Sequence, residues 1–282
     1  MKAGIFTLLS LLAFAGNSVL CRVALGEEQI DAAGFTAVRL ISAALFLYLL
    51  FSFKRIEKPL LSYGHWWSSL MLFIYAICFS FAYLTLDTGT GALILFGSVQ
   101  ICMLTVSKLT GERFSSLELI GSAMAVIGFI YLVLPTLSTP SLSGFLLMAM
   151  SGIAWGFYTL AGKKSLQPSL DTTMNFMRTI PMALITLLFI DFSSITNKGL
   201  VVAILSGVGT SGIGYIIWYK ALPLLSNMQA AVTQLLVPVI AAFGGLVFIS
   251  EPISMRLVVA SILVLGGVLL VVIAKTKNSQ VN

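Results

Sequence analysis

Two arginines stand inside long apolar stretches of the sequence, where a charge is costly if the stretch lies in lipid. Arg39 lies toward one end of its stretch, and Arg178 has a similar place in a later one. Such a pair can gate two sides of a membrane, or it can attract an anionic group such as a carboxylate. Asp31 and Asp171 precede the arginines and offer a structural alternative. We expect a gating or structural role rather than direct contact with a substrate.

Neutral polar and aromatic side chains in other apolar stretches could bind a solute that has an apolar part. The predicted substrate-binding residues are Asn17, Tyr83, Gln100, Trp155, Tyr158, Tyr215, Trp218 and Gln234. An amide in hydrocarbon needs a hydrogen-bond partner, so the Asn and Gln side chains should face the protein interior. The alternatives are interhelical hydrogen bonds for the amides, and positions at the membrane interface for Tyr83, Trp218 and Tyr219.

The composition places these residues in a membrane protein. The chain of 282 residues is 59% hydrophobic and only 9% charged, whereas soluble domains have about 25% charged residues. The net charge of +6 is spread between apolar runs, which argues against nucleic-acid binding. Three cysteines lie inside or beside apolar runs at spacings that suit neither a disulfide framework nor a metal site. We therefore expect no metal and no cofactor.

The apolar runs predict an all-α membrane protein with ten transmembrane helices, since about 20 apolar residues cross a bilayer. The helices are placed at about 4–25, 32–53, 66–86, 89–107, 116–135, 144–163, 171–191, 199–220, 226–249 and 254–274. Ala13-Phe14-Ala15 resembles a signal-peptide cleavage site, but the apolar run continues to Ala24, so we expect the first helix to be retained. Most Lys and Arg residues then fall in cytoplasmic linkers if both termini are cytoplasmic.

The sequence also repeats itself. Gly4 and Gly144 are 140 residues apart, as are Asp31 and Asp171. This divides the chain into two five-helix repeats, residues 1–137 and 138–282. Because five is an odd number, the second repeat should be inverted in the membrane, which is the arrangement that alternating access uses.

Several motifs resemble the EamA-type family of the drug/metabolite transporter superfamily. They are Gly16-Asn17-Ser18 with Arg22, Arg39 and Arg178, Trp155, Tyr83, Tyr219-Lys220-Ala221-Leu222, and Pro238 with Glu251. Phe14 stands where a Trp is common, and Val99-Gln100 occupies the position of a Pro in the first repeat. The resemblance implies ten helices around a central cavity, lined mainly by helices one, three, four, six, eight and nine. It implies transport of small solutes, and exporters of aromatic amino acids are among the relatives.

Acidic residues lie near the ends of the apolar runs. We expect Glu112 and Glu251 to cap helix N-termini, and Glu118 lies only one turn inside its helix. His65 lies in a linker. A proton-driven pump usually has a carboxylate or His at mid-depth, so this pattern favours facilitated diffusion or exchange.

These features together predict a secondary transporter of the inner membrane that exports amino acids or related metabolites by alternating access. The alternatives are a lipid-modifying membrane enzyme, for which we find no catalytic cluster, and a non-transporting subunit. The expected partners are a small solute and the lipid bilayer. A monomer is compatible with the pattern, and the sequence leaves the oligomeric state and the substrate open.

Overall fold

The computed structural model describes residues 2–52, 59–111, 115–133, 141–225, 229–230 and 233–278, and its regular secondary structure in these ranges is helical. The α-helices are α1 (Lys2–Gly26), α2 (Ala32–Ser52), α3 (Trp66–Ala82), α4 (Thr88–Leu109), α5 (Ser116–Val133), α6 (Leu142–Gly162), α7 (Pro168–Thr186), α8 (Asn197–Leu205), α9 (Gly214–Ala221), α10 (Val237–Ile249) and α11 (Met255–Asn278). A π-helical segment, Ser206–Ile213, joins α8 to α9. The predicted all-α fold is confirmed.

Five helices in the described ranges are long and apolar enough to cross a membrane. They are Ala3–Gly26, Ala32–Ser52, Thr88–Val106, Leu142–Gly162 and Asn197–Leu224. Shorter apolar helices cover Trp66–Ala82, Ser116–Gly128, Gln234–Ile249 and Met255–Val271. Helix α7 is more polar, because its first half contains residues such as Thr173, Asn175 and Arg178.

Helix starts are fixed by side chains that accept hydrogen bonds from free backbone amides. Asp31, Ser141 and Thr196 each accept from the N–H three residues further on, at distances of 2.9, 3.1 and 3.0 Å. Ser115 and Glu118 form a reciprocal capping box at α5, with distances of 2.6 and 3.3 Å. The carboxylate of Glu118 thus serves the start of its own helix.

Close helix contacts build the core from both halves of the chain. Helix α5 packs on α11, α3 and α4 pack on α6, and α2 packs on α7. A Cβ added to Gly121 would lie 2.4 Å from the carbonyl oxygen of Gly267, and one added to Gly267 would lie 2.3 Å from that of Gly121. The α5–α11 contact therefore requires glycine on both sides, as in other membrane helix pairs.

Candidate functional site

Arg39, on α2, has a fully buried side chain. Its Nε donates to Ser211 Oγ at 2.9 Å, and its Nη2 donates to the hydroxyls of Tyr75 at 3.1 Å and Tyr215 at 2.8 Å. The guanidinium carbon also lies 5.2 Å from the ring centroid of Tyr75 and 5.1 Å from that of Phe79. Hydroxyl and aromatic groups from α3, the π-helical segment and α9 therefore surround the charge.

Asn17, on α1, joins the same hydrogen-bond network. Its Nδ2 donates to the hydroxyl of Tyr75 at 3.1 Å. Its Oδ1 accepts from Ser206 at 2.7 Å and from Thr210 at 3.2 Å, and both of these hydroxyls belong to the π-helical segment. The amide thus faces the protein interior and links α1 to α3 and to the π-helical segment.

Trp155, on α6, lies at the centre of a buried aromatic cluster. Its ring centroid is 4.6 Å from that of Tyr215, 4.9 Å from Tyr75, 5.2 Å from Phe14 and 5.3 Å from Tyr158. Tyr75 and Tyr215 belong both to this cluster and to the network around Arg39. The charged and aromatic groups therefore form one continuous region.

Two further predicted residues adjoin the aromatic cluster. The indole Nε1 of Trp155 donates to Gln234 Oε1 at 2.7 Å, and Gln234 Nε2 donates to the carbonyl of Ala230 at 2.8 Å. Trp218 packs edge-on against Phe14, with ring centroids 5.6 Å apart. Gln234 thus accepts the hydrogen bond of a buried Trp, whereas Trp218 adds another ring to the aromatic cluster.

Gln100 and Tyr83 lie apart from Trp155. Gln100 is buried and lines a small cavity of about 20 Å³ with Ser122, and its Oε1 has no hydrogen-bond partner among the residues that the structure describes. Tyr83 follows the last residue of α3, and its hydroxyl donates to the carbonyl of Thr88 at 3.2 Å. The structure therefore places Tyr83 in the turn before α4, not inside helix three.

Sequence reasoning missed Tyr75 and the hydroxyls of Ser206 and Ser211. Tyr75 lies in the middle of α3, inside an apolar stretch like the other predicted aromatic residues, so the same argument could have identified it. The two serines stand in the glycine-rich run Ser206–Ile213, a composition that is typical of close helix packing rather than of a binding site. Phe14 was noted only as a departure from a family motif.

Arg178, on α7, has a different environment from Arg39. Its Nη1 and Nη2 donate to the backbone carbonyls of Tyr63 and Leu61 at 2.6 and 2.8 Å. Asp171 and Asn175 accept from backbone N–H groups of the same linker at 2.9 and 3.0 Å. These side chains hold the linker before α3 against the first turns of α7. Although the repeat pairs the two arginines in sequence, Arg178 binds backbone and is only partly buried.

Arg22 and Glu251 form an ion pair at the other end of the helices. Arg22 Nε donates to Glu251 Oε1 at 2.8 Å, and its Nη1 donates to the carbonyl of Tyr83 at 3.1 Å. Glu251 Oε2 also accepts from the backbone N–H of Thr88 at 2.9 Å. Glu251 thus caps the start of α4 rather than the helix that follows it in sequence, and it ties together α1, α4 and the linker before α11.

A cavity of about 200 Å³ lies beside this ion pair, lined in part by Asp87 and Glu251. Partial burial and the nearby Glu251 carboxylate raise the pKa of Asp87, whereas Arg22 opposes this shift. Glu112, the counterpart of Glu251 in the first repeat, lies outside the described residues.

Comparisons with known proteins identify the family. The profile of the EamA-like transporter family matches residues 142–273. An uncharacterized protein of Pseudomonas aeruginosa is 46% identical over 268 residues, which cover 95% of this chain and 93% of that protein. An uncharacterized transporter of Archaeoglobus fulgidus is 25% identical over 95% of this chain and 96% of its own length. A probable amino-acid metabolite efflux pump of Salmonella typhimurium is 24% identical over 64% of this chain and 66% of its own length.

The fold is also known from a solved structure. A crystal structure aligns with a TM-score of 0.69 and 18% sequence identity, covering 97% of this chain and 98% of that one. The apolar helices and the named relatives make the protein a multi-pass membrane transporter. The chain belongs to the EamA-like transporter family.

Proposed function

We propose that the protein is a secondary transporter that exports small organic solutes, amino acids or related metabolites, across the inner membrane by alternating access. The observation that carries this proposal is the shared polar and aromatic region between the repeats. Asn17, Arg39 and Tyr75 come from residues 1–137, whereas Trp155 and Tyr215 come from residues 138–282. A site formed by both repeats at mid-depth can be exposed to either side when the repeats move relative to each other.

Matched contacts at the two ends support ten spans in two inverted repeats. At one end the first turns of α7 hold the linker before α3, through residues such as Asp171. At the other end the linker before α2 holds the linker before α8, where the carbonyl of Gln29 accepts from the N–H of Thr196 at 2.9 Å. Equivalent contacts at opposite ends are what an in-plane twofold axis predicts.

The orientation and direction rest on separate arguments. The excess of Lys and Arg in alternate linkers favours cytoplasmic N and C termini. Outward transport is supported by the printed name of the Salmonella typhimurium relative, an efflux pump. Among the described residues the buried network contains neither a carboxylate nor a His, and its charged group is Arg39, a base that stays protonated. This favours facilitated diffusion or exchange over proton coupling.

Flux into liposomes tests the proposal. The purified protein would be reconstituted, and counterflow of radiolabelled amino acids, nucleosides and organic cations would be compared with protein-free liposomes. We expect saturable flux of at least one amino acid or related metabolite. The absence of flux for the whole panel would reject the transporter, and a requirement for a pH gradient would reject uncoupled transport. Loss of efflux from preloaded cells on deletion would support the direction.

A further inference from the structure

The network around Arg39 contains a positive charge without an acidic partner among the described residues. The ion pairs that the structure shows in those ranges join Arg22 to Asp87 and Glu251, and Lys198 to Glu27. The guanidinium of Arg39 is 0% exposed, so neither bulk water nor a carboxylate of the described chain balances it. A buried charge held only by neutral groups is unfavourable.

The same network also has more hydrogen-bond donors than acceptors. A guanidinium offers five N–H groups and an amide two. The phenol oxygen of Tyr75 is contacted by Arg39 Nη2, by Asn17 Nδ2 and by the hydroxyl of Tyr215. Asn17 Oδ1 is already engaged by the hydroxyls of Ser206 and Thr210. The acceptors in this network are therefore heavily shared.

One nitrogen of the Arg39 guanidinium takes no part in these hydrogen bonds. Its Nη1 is buried and has no hydrogen-bond partner in the described part of the chain, whereas Nε and Nη2 both have partners. An unpartnered donor on a buried guanidinium is costly, and a carboxylate is the group that best satisfies it, because an anion forms a charge-assisted hydrogen bond with Nη1 and also balances the buried charge.

The groups next to Arg39 indicate the rest of the ligand. Tyr75 and Tyr215, which accept from Arg39 Nη2, also contact the ring of Trp155, with centroids 4.9 and 4.6 Å apart. Phe14 lies on another side of the same indole at 5.2 Å. A carboxylate at Arg39 would therefore place the adjoining carbon skeleton among aromatic rings, which favours an apolar or aromatic side chain.

We propose that Arg39 anchors the carboxylate of the transported solute through Nη1, and that the solute is a carboxylate with an apolar or aromatic side chain. This inference rests on the proposed transport function. It also revises the expectation from sequence that Arg39 is structural or forms a gate. The aromatic rings are packed together in this structure, so the solute occupies a conformation in which they have separated.

Wild-type protein in liposomes provides the first test. The probes are three pairs that differ only by the carboxylate: phenylalanine and 2-phenylethylamine, tryptophan and tryptamine, leucine and 3-methylbutylamine. We expect saturable flux for at least one amino acid and at least tenfold less flux for its amine. Equal or faster flux of the amine would overturn the inference about Arg39, but the proposed transport function would still hold. No flux for any of the six would reject this substrate class, and the broader panel described above would then decide transport itself.

Variants of Arg39 provide the second test. Arg39→Gln removes the charge, Arg39→Lys keeps the charge but has no donor that corresponds to Nη1, and Lys198→Gln removes an exposed cation as a control. We expect Arg39→Gln to lose the discrimination between the amino acid and its amine, and Arg39→Lys to raise the half-saturation concentration at least tenfold. Unchanged discrimination in a folded Arg39→Gln protein would contradict the anchor. If Arg39→Gln does not fold, the half-saturation concentration of Arg39→Lys and the comparison of amino acids with their amines in wild-type protein test the anchor instead.

Discussion

At the scale of single residues, the side chain of Asn17 links α1 to two other elements of the fold. Its side chain bonds to Tyr75 of α3 and to Ser206 and Thr210 of the π-helical segment. We expect Asn17→Ala to reduce flux at least tenfold, because the hydroxyls of Tyr75, Ser206 and Thr210 all lose a hydrogen-bond partner. The measurement is initial flux per folded protein in liposomes. Asn197→Ala, at the exposed start of α8, is the matched control and should leave flux unchanged.

Trp155 allows packing to be separated from hydrogen bonding. Trp155→Phe keeps an aromatic ring but removes the donor to Gln234 Oε1, which stays buried. We expect a loss of about 1–3 kcal/mol in stability from the unsatisfied amide and the smaller ring. Unfolding in detergent measures it. The control, Trp67→Phe, changes a Trp that is 56% exposed and should have little effect. Equal effects of the two substitutions would argue against the role of the hydrogen bond.

At the scale of elements, the π-helical segment brings the hydroxyls of Ser206 and Ser211 to Asn17 and Arg39. Wide turns of this kind occur mostly at functional sites. A Cβ on Gly207 would lie 2.4 Å from the carbonyl oxygen of Arg39, so this segment depends on a close approach to α2. Glycines at this spacing are typical of close helix packing, but they do not reveal the change in helical geometry.

Gly207→Ala tests that close approach. The added methyl group meets the backbone of α2, which cannot move aside easily, and we expect the variant to lose about 1–3 kcal/mol of stability. Gly209→Ala is the matched control, since its Cβ would have nothing within 4 Å. Thermal unfolding of both proteins in the same detergent is the measurement. A Gly207→Ala protein as stable as Gly209→Ala would show that the segment yields without strain.

Helix positions could be predicted from the sequence, whereas helix rotations could not. Apolar runs gave α1 and α2 to within two residues of their observed bounds. The run after Ala82 is also apolar, but the chain turns there, and so Tyr83 lies outside α3. In a helix that is apolar on all sides, the apolar residues are not confined to one side, so the sequence does not show which face points inward. For that reason Gln100 was placed with Trp155, although it faces α5 and α11.

The repeat predicted that Arg39 and Arg178 are equivalent, but it could not predict how their surroundings differ. Arg39 donates hydrogen bonds to the hydroxyls of Tyr75 and Tyr215, whereas Arg178 donates to backbone carbonyls of the linker before α3. These partners lie far away in sequence, so no local pattern encodes them. The partners of a buried side chain such as Arg39 can therefore be identified only from the folded chain.

At the scale of the whole molecule, polar contacts hold both ends of the helices together. One end has the ion pair of Arg22 and Glu251, whose carboxylate also caps Thr88. The other has Asp171 and Arg178, which hold the linker before α3. If alternating access operates, breaking one set of contacts should shift the population toward the state that is open at that end.

Glu251→Gln tests this at the end assigned to the outside. The substitution removes the charge that pairs with Arg22, and Cys21, which precedes Arg22 and is fully buried, reports opening. In a background with Cys78 and Cys102 replaced by Ala, we expect an impermeant thiol reagent added outside to label Cys21 about five- to thirtyfold faster in Glu251→Gln, as a loss of about 1–2 kcal/mol implies.

Asp171→Asn is the matched control for this measurement, because it loosens the opposite end by removing a charge that accepts from the N–H of Gly64. Opening at the cytoplasmic end draws population away from the outward-open state, so labelling of Cys21 from outside should slow or stay constant. Faster labelling in both variants would indicate general loosening rather than alternation between two closed ends. Faster labelling of Cys21 in Glu251→Gln only when the reagent is added to the cytoplasmic side, in inside-out vesicles, would reverse the assigned orientation, since the ion pair of Arg22 and Glu251 would then close the cytoplasmic end.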